Sequence, residues 1–370
     1  MMSRFVTLFR YDLEPVHLFK DVGQIPITFS RWGYQSRIVG FWKTKPDHPA
    51  AEQISRMRPN SRKLRTLWLL FYILLHAKRI AVLNLYFWGK DTFLLGSLYK
   101  LLNPDGFLYV KTDVIPGLIR QEDPRGLALR LRSHFIRIVN AVSVETRRAN
   151  DLFKELFPEL GTKLLYVPNG VDPDLLGSPP HGDKENIILS VGSIGQPVKN
   201  HELLVSGFLA LNLPGWKLVL VGPVSNPFRE WIKNHPEDPL GSGRVVLRGP
   251  TTSREELAQW YRRARVFCLS SRYESYGIAL LESLCFGACA VGSDTIESIE
   301  DFSNATGMVE VFKTGDSESL EKALKKAIAR SEKDSDFLQR QAIKVRDQYD
   351  WSRLLSPIRE SLSSKTHSLR

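Results

Sequence analysis

The feature that most constrains the fold is the alternation of short, β-rich apolar runs with longer helical patterns. Strands are predicted near "FVTLF", "SRIVGF", "IAVLNLYF", "FLYVKT" and "NAVSVET", and later near "NIILSVGSI", "WKLVLVGP", "RVVLRG", "RVFCLSS" and "CAVGSD". Helical patterns such as "RKLRTLWLLFYILLHAK" and "RGLALRLRSHFIRIV" lie between them. This alternation is typical of an α/β protein with parallel sheets that helices cover on both faces.

The pattern stops and restarts near residue 170. The turn "VPNGV" closes the first half, and a length of 370 residues favours two domains. We therefore predict two doubly wound halves, with helices at the end of the chain. Ligands of such sheets bind outside the carboxyl ends of the strands, so a central cleft between the domains is the expected site.

Composition indicates a globular protein of a reducing compartment. Hydrophobic residues make up 43% of the chain, and its three cysteines are too few and too clustered for a disulfide framework. They are interpreted as packing residues, and the start of the chain shows no secretory signal. The longest apolar stretch, "LWLLFYILL", is too short to span a bilayer and is interpreted mainly as a buried core helix. We expect a cytoplasmic protein.

Positive charge is concentrated in the first half. Residues 1–180 carry 26 Lys and Arg against 16 Asp and Glu, whereas residues 181–370 carry 25 against 24. This asymmetry favours an anionic partner of the first half, such as the inner membrane surface, although solvated surface charge remains an alternative. Nucleic acid is the weakest candidate, because no recognition motif or basic stripe is present, and no nucleic-acid partner is predicted.

The stretch "YESYGIALLE" follows a predicted strand and begins a predicted helix. The amides of Tyr276, Gly277 and Ile278 would form an anion site at the helix start, next to Ser275. Carboxylates only accept hydrogen bonds, so Glu274 and Glu282 suit the hydroxyls of a sugar or ribose. For Glu274 a surface charge is an open alternative. Glu282 lies among apolar residues, where a carboxylate requires partners.

Several segments together resemble one enzyme family. "SSRYESYGIALLESLCFGACAVGSD" resembles the E-x7-E segment of family 4 glycosyltransferases, which are retaining enzymes of the GT-B fold. "YVPNGVD", "ILSVGSIGQPVKNHELLVSGF" and "VVLRGPTTSREELAQWYRRARVFCLSS" are similar to other family segments, and "YDWSRL" to its closing helix. The resemblance implies a GT-B fold: a Rossmann-like acceptor domain over 1–168, a Rossmann-like nucleotide-sugar domain over 169–345, and a helix over 346–370 that crosses back.

The resemblance also implies residue roles in the second domain. Glu274 would bind hydroxyls of the donor sugar, Glu282 the ribose, and Lys199 would neutralise the diphosphate. One departure stands out, because Ser193 occupies the position where the family usually has an arginine. Half of the usual Arg/Lys phosphate clamp is therefore missing or supplied from elsewhere.

The first domain offers fewer matches. Gly23 is the only glycine where the family has a Gly-rich donor-binding loop, and Asp21 near it is either a cleft residue or a helix start. Asp113 follows "FLYVKT", where relatives often have a histidine, and is either a catalytic residue that orients the acceptor hydroxyl or a turn residue. Glu145 is a further strand-end acid. "DPD" at Asp172 is interpreted as an interdomain loop, and the resemblance implies an enzyme that needs no metal, so no metal and no other cofactor is predicted.

The leading hypothesis is a retaining, metal-independent hexosyltransferase. It would move a sugar from a UDP- or GDP-sugar to a hydroxyl of a glycan or lipid-linked acceptor, in surface polysaccharide or glycolipid assembly, from a peripheral position on the inner face of the membrane. The alternatives are another GT-B sugar-nucleotide enzyme, such as an epimerase or phosphorylase, and a non-catalytic, membrane-docked subunit of a glycan-assembly complex.

Overall fold

The computed structural model describes residues 3–42, 54–56, 64–113, 126–178, 182–251 and 253–368. The chain forms two compact units. The first comprises Met1–Gly170 together with Trp351–Arg370, and the second comprises Val171–Asp350. Among the described residues, no helix is both long and apolar enough to cross a membrane.

The first unit contains a sheet of seven parallel strands in the order β3-β2-β1-β4-β5-β6-β7. The strands are β1 (Arg4–Asp12), β2 (Gln35–Phe41), β3 (Ile54–Arg56), β4 (Val82–Tyr86), β5 (Phe107–Thr112), β6 (Ala141–Val144) and β7 (Leu164–Tyr166). Its helices are α1 (Pro15–Leu18), α2 (Asp21–Arg31), α3 (Arg65–His76), α4 (Lys90–Leu102), α5 (Leu127–Ile138), α6 (Arg147–Leu156), α15 (Trp351–Leu354) and α16 (Ser356–Ser368).

Helices cover both faces of this sheet, because successive side chains of a strand point to opposite sides. On one face, Val6 and Leu8 pack in a core with residues of α3, α4, α5 and α6. On the other face, Phe5 packs with Phe29 of α2 and Trp351 of α15. The closing helices therefore belong to the core of the first unit, although they lie at the far end of the sequence.

The second unit contains a sheet of six parallel strands in the order β10-β9-β8-β11-β12-β13. The strands are β8 (Glu185–Val191), β9 (Lys217–Val221), β10 (Val245–Gly249), β11 (Ala264–Leu269), β12 (Cys289–Ser293) and β13 (Val309–Phe312). Its helices are α7 (Pro173–Leu176), α8 (His201–Ala210), α9 (Asn226–Lys233), α10 (Arg254–Arg263), α11 (Ile278–Cys285), α12 (Ile299–Thr306), α13 (Ser317–Lys333) and α14 (Ser335–Gln348).

Each strand predicted from the sequence is present, and "VPNGV" lies outside the helices and strands. The interpretation of the cysteines is confirmed, since all three are buried and unpaired. The interpretation of "LWLLFYILL" as a buried core helix is wrong for its outward half. Leu69 and Ile73 are fully buried, but Leu67, Phe71 and Leu75 are more than half exposed.

Candidate active site

Glu274 lies in the loop between β11 and α11, at the carboxyl end of the sheet. The loop is fixed by its backbone, because the carbonyl oxygen of Glu274 accepts a hydrogen bond from the amide of Glu297 at 3.0 Å. The Glu274 carboxylate forms an ion pair with the ammonium group of Lys199, and about a fifth of its side chain is exposed. The structure thus brings together two residues that lie 75 positions apart in the sequence.

The start of α11 has the geometry expected of an anion site. Gly277 precedes the helix with a φ of +77°, a conformation that side chains rarely adopt. Tyr276 is buried against Phe302, and its carbonyl oxygen accepts a hydrogen bond from the Ser298 hydroxyl. The helix begins at Ile278, so the amides of Ile278 and Ala279 lack intrahelical acceptors, whereas Leu280 already donates to the Gly277 carbonyl oxygen at 2.9 Å. Ser275 is partly exposed beside them.

Lys199 is held by the segment that links β8 to α8. It ends a short 3₁₀ turn, Pro197–Lys199, and its amide donates to the Gln196 carbonyl oxygen at 2.8 Å. Ser193 is exposed earlier in this segment. A hydroxyl at this position contributes no positive charge, so Ser193 cannot replace the arginine that the family usually has there.

A second cation, Arg272, is attached to the same segment. Its amide donates to the carbonyl oxygen of Val198 at 2.7 Å, and its Nη2 donates to Oδ1 of Asn200 at 3.1 Å. These two partners flank Lys199, and the Arg272 side chain is exposed. Arg272 is not among the residues predicted from the sequence, although it lies only two positions before Glu274.

His201 is a structural member of this segment. Its side chain is 3% exposed, and Nδ1 accepts a hydrogen bond from the amide of Gly195 at 3.1 Å. Burial, with a smaller effect of Lys199, lowers the pKa of His201 to about 4. The neutral imidazole therefore fixes the shape of the loop that carries Lys199.

Glu282 is engaged by side chains from α10. Its Oε1 accepts a hydrogen bond from Nη2 of Arg254 at 3.0 Å, and its Oε2 accepts one from the Tyr261 hydroxyl at 2.7 Å. Burial, followed by Glu282, raises the pKa of Tyr261 well above its usual value, so the phenol keeps its proton and donates. The partners that the apolar surroundings of Glu282 require are thus Arg254 and Tyr261, and the sequence analysis named neither.

Arg254 also binds Asp172, the first residue of "DPD". Its Nε donates to Oδ2 of Asp172 at 3.0 Å, while Oδ1 of Asp172 accepts from the amide of Asp174 and caps α7. The Asp172 side chain is 1% exposed. In the described residues, no group of three or more His, Cys, Asp or Glu side chains is placed to hold a metal ion.

The first unit gathers a separate charged cluster at the carboxyl ends of its strands. Asp113 and Glu145 directly follow β5 and β6, which pair so that Thr112 lies opposite Val144. Lys111 is fully buried and donates to the Val167 carbonyl oxygen at 2.9 Å. Glu145 accepts a hydrogen bond from Nδ2 of Asn169. Burial, then Asp113, raises the pKa of Glu145 well above its usual value.

Asp21 joins this cluster from the start of α2. Burial raises its pKa, opposed by Lys111 and reinforced by Asp113. Asp21 is the first residue of α2, and its Oδ1 accepts a hydrogen bond from the adjacent amide of Val22. The N-cap position is occupied by Lys20, and no side chain caps this helix. Gly23 lies inside this helix, where an added Cβ would be 2.1 Å from the Leu18 carbonyl oxygen. Close packing against α1 is therefore sufficient to explain this glycine, and its role in donor binding stays a prediction.

The predicted site residues thus form three groups. Lys199 and Glu274 are paired, Glu282 is linked to Asp172 through Arg254, and Asp113 joins Glu145 and Asp21 in the first unit. The catalytic and binding roles assigned to these residues stay predictions.

Together, the two units, each a parallel sheet covered by helices, define an α/β protein of the GT-B class. Residues 173–344, all within the second unit, match the family model described as "Glycosyl transferases group 1".

A curated relative is similar to part of the chain. It is a probable sucrose-phosphate synthase of Thermosipho melanesiensis, 23% identical over 226 residues, which cover 56% of this chain. The matched region is 49% of that relative, so the match extends over about half of its length.

Three solved structures share the fold over almost their whole length. A sucrose-phosphate synthase of Thermosynechococcus elongatus has a TM-score of 0.71 at 16% identity and covers 100% of both chains. A glycosyltransferase of Rickettsia africae has a TM-score of 0.76 at 10% identity, with 99% of both chains covered. HepE of Anabaena, solved with UDP, has a TM-score of 0.72 at 14% identity, covering 98% of this chain and 100% of its own. The GT-B fold is therefore shared by proteins whose sequences have diverged widely.

Proposed function

We propose that the protein is a retaining hexosyltransferase that transfers a sugar from a nucleotide diphosphate sugar to a hydroxyl of a glycan or lipid-linked acceptor. The observation that carries the proposal is the Lys199–Glu274 ion pair in the loop before α11. The carboxylate would accept hydrogen bonds from a sugar hydroxyl, and the ammonium group would pair with a diphosphate. Both groups lie beside a helix start at which Gly277 has a left-handed conformation. The family match and the UDP complex of HepE support the choice of donor.

Two cations would neutralise the diphosphate in this proposal. Lys199 would supply the first positive charge. Arg272 would supply the second, in place of the charge that Ser193 lacks. Both are held by the same segment, since Arg272 is hydrogen-bonded to residues on either side of Lys199. Donors fixed before the substrate binds stabilise the charge that develops on a leaving group without costly reorganisation.

Glu282 would receive the ribose hydroxyls while it keeps its bonds to Arg254 and Tyr261. Each carboxylate oxygen has two lone pairs, so one hydrogen bond at each oxygen leaves further acceptor capacity. In the first unit, Asp113 would orient the acceptor hydroxyl, with Glu145 beside it. With no protein nucleophile assigned, the β-phosphate side of the donor would assist the incoming hydroxyl, and the configuration of the sugar would be retained.

The proposed enzyme would need no cofactor and would act in the cytoplasm. The Lys199 and Arg272 charges would do the work that a metal ion does in other enzymes, so the reaction would need no metal. The enzyme would act in the cytoplasm on surface polysaccharide or glycolipid intermediates, with UDP- or GDP-sugars as donors.

The first experiment is a thermal-shift screen of nucleotides and nucleotide sugars, followed by hydrolysis and transfer assays on the hits. We expect a UDP- or GDP-sugar to raise the unfolding temperature. We also expect the transfer product to keep the anomeric configuration of the donor. Absence of binding to UDP, GDP and ADP would favour a non-catalytic subunit. Turnover of the sugar nucleotide without an acceptor requirement would favour an epimerase.

The second experiment tests the role of the loop before α11. Glu274→Gln should reduce transfer by at least about 100-fold, while nucleotide binding changes little, because only the charge that faces the sugar is removed. Glu318→Gln is the matched control, since the Glu318 side chain is 85% exposed on α13. Equal turnover of the Glu274 variant and the wild type would refute the assignment of Glu274.

A further inference from the structure

Helix α3 carries large apolar residues on its outer side as well as on the side that faces the core. Its inward stripe includes Leu69 and Ile73, which are fully buried against the sheet. Its outer side, which we call the docking face, consists of six large apolar residues, each at least 41% exposed. These residues are Leu64, Leu67, Trp68, Phe71, Leu74 and Leu75. A surface helix of a globular protein normally carries polar residues on this side.

Further large apolar side chains are exposed on the neighbouring helices of the same layer. Helix α4 packs between α3 and α5, and all three bury their inner sides in one core. On their other sides, Leu94 and Leu101 of α4 and Leu127 of α5 are 42%, 76% and 81% exposed. Because large exposed apolar patches are rare on monomeric proteins, the outer side of α3 has the character of an interaction surface.

The charges of α3, α4 and α5 are almost all positive. Helices α3 and α5 contain no acidic residue, and α4 contains only Asp91, which is paired with Arg10 and accepts from the Thr66 hydroxyl at 2.9 Å. Exposed basic residues border the apolar surface: Lys78, Arg79, Lys90, Arg130 and Arg137. An apolar surface bordered by cations complements the acyl chains and anionic headgroups of a bilayer.

A cationic cavity lies at the C-terminal end of α3. Its volume is about 930 Å³, and its charged lining residues are Arg4, Lys78, Arg79 and Lys365 together with one acid, Asp105. Lys365 and the nearby Lys100 both donate to the Gly106 carbonyl oxygen, at 2.8 and 2.9 Å. Burial and the charge of Lys365 lower the pKa of Lys100 to about 8. Positive charge is therefore concentrated beside the end of the docking face.

We propose that the docking face lies in the headgroup region of an anionic bilayer, with the basic residues at its border in contact with lipid phosphates. A bilayer explains two observations together: the absence of exposed acids on α3 and α5, and a tryptophan next to leucine and phenylalanine side chains. This inference goes beyond the proposed transfer reaction, because membrane binding requires neither donor nor acceptor.

The test is co-sedimentation of the full chain with vesicles of phosphatidylcholine, with and without phosphatidylglycerol. The wild type should bind the mixed vesicles and lose this binding at high salt, because exposed charges are then screened. Trp68→Ser with Phe71→Ser should weaken binding at least about tenfold, since two exposed apolar side chains are removed. Val311→Ser with Ile343→Ser is the matched control, since both residues are exposed in the second unit.

A charge variant tests the border separately. Lys78→Ser with Arg79→Ser should weaken binding to the mixed vesicles about 10- to 30-fold, at roughly 1 kcal/mol per basic residue. Circular dichroism and urea unfolding should show that each variant is folded. This second variant keeps the proposal testable if the apolar substitutions affect folding.

Insertion can be measured directly because the three native cysteines are buried. A Leu75→Cys variant labelled with an environment-sensitive dye should show a blue shift on mixed vesicles, and a labelled Ile343→Cys variant should show none. The proposal is overturned if the wild type binds neutral and anionic vesicles equally, or if the Trp68/Phe71 variant binds like the wild type. A wild-type dimer that the Trp68/Phe71 substitutions dissociate would instead assign the docking face to a second copy.

Discussion

Replacing Arg254 with methionine tests the network around Glu282. Arg254 is bonded to Asp172 and Glu282, whose side chains are 1% and 8% exposed. Methionine fills a similar volume but leaves two buried carboxylates without their shared cation. Removing one partner of a buried ion pair costs about 3–5 kcal/mol, which corresponds to roughly 10 °C in the unfolding temperature.

The pH dependence of this loss follows from the pKa of Asp172. Burial already raises that pKa above 3.8, and Arg254 opposes the rise. Without Arg254, the folded protein holds the proton of this carboxyl more tightly than the unfolded chain does. The free energy of unfolding that the variant loses is therefore largest above the pKa of Asp172 in the folded protein. This loss shrinks as the pH falls through that pKa towards 3.8.

The assay is thermal and urea unfolding of wild type and variants from neutral to acidic pH. Arg263→Met on the same helix is the matched control, because Arg263 and its partner Glu185 are 45% and 50% exposed. An exposed pair contributes at most about 1 kcal/mol. Equal losses for the two variants, or a loss for Arg254→Met that does not change with pH, would refute the reasoning.

Two further predictions concern the loops around the Lys199–Glu274 ion pair, and a third concerns the need for a metal ion. Gly277→Ala should cost about 1–2 kcal/mol of stability and weaken nucleotide binding, because alanine is strained at a φ of +77°; unchanged unfolding and affinity would contradict this. Because burial lowers the pKa of His201 from 6.5 to about 4, the unfolded chain binds the extra proton below pH 6.5. As the pH falls from 6.5 to about 4, the free energy of unfolding of the wild type should therefore decrease by up to about 1.4 kcal/mol per pH unit. His201→Asn should lack this decrease, which urea unfolding at each pH can measure. Chelation with EDTA should leave the rate of sugar transfer unchanged. If EDTA abolished transfer and a divalent cation restored it, the reaction would depend on a metal.

The sequence determined the elements of the fold and the position of one loop. Runs such as "WKLVLVGP" and "RVFCLSS" form strands because their central apolar residues fit the interior of a parallel sheet. Gly277 could be placed at the start of a helix from its position after a predicted strand, although its positive φ is visible only in the structure. These features depend on near neighbours in the chain, which the sequence displays directly.

Only the tertiary structure decided which side chains are partners and which apolar residues are exposed. Apolar surroundings predicted that Glu282 needs partners, but Arg254 is 28 positions away and reaches it only because α10 packs beside α11. Likewise, the apolar pattern of α3 could not show that Phe71 faces outward, because each side of this helix is equally suitable for burial. Pairings across long sequence separations are set by how the elements pack, and this packing has no local signature in the sequence.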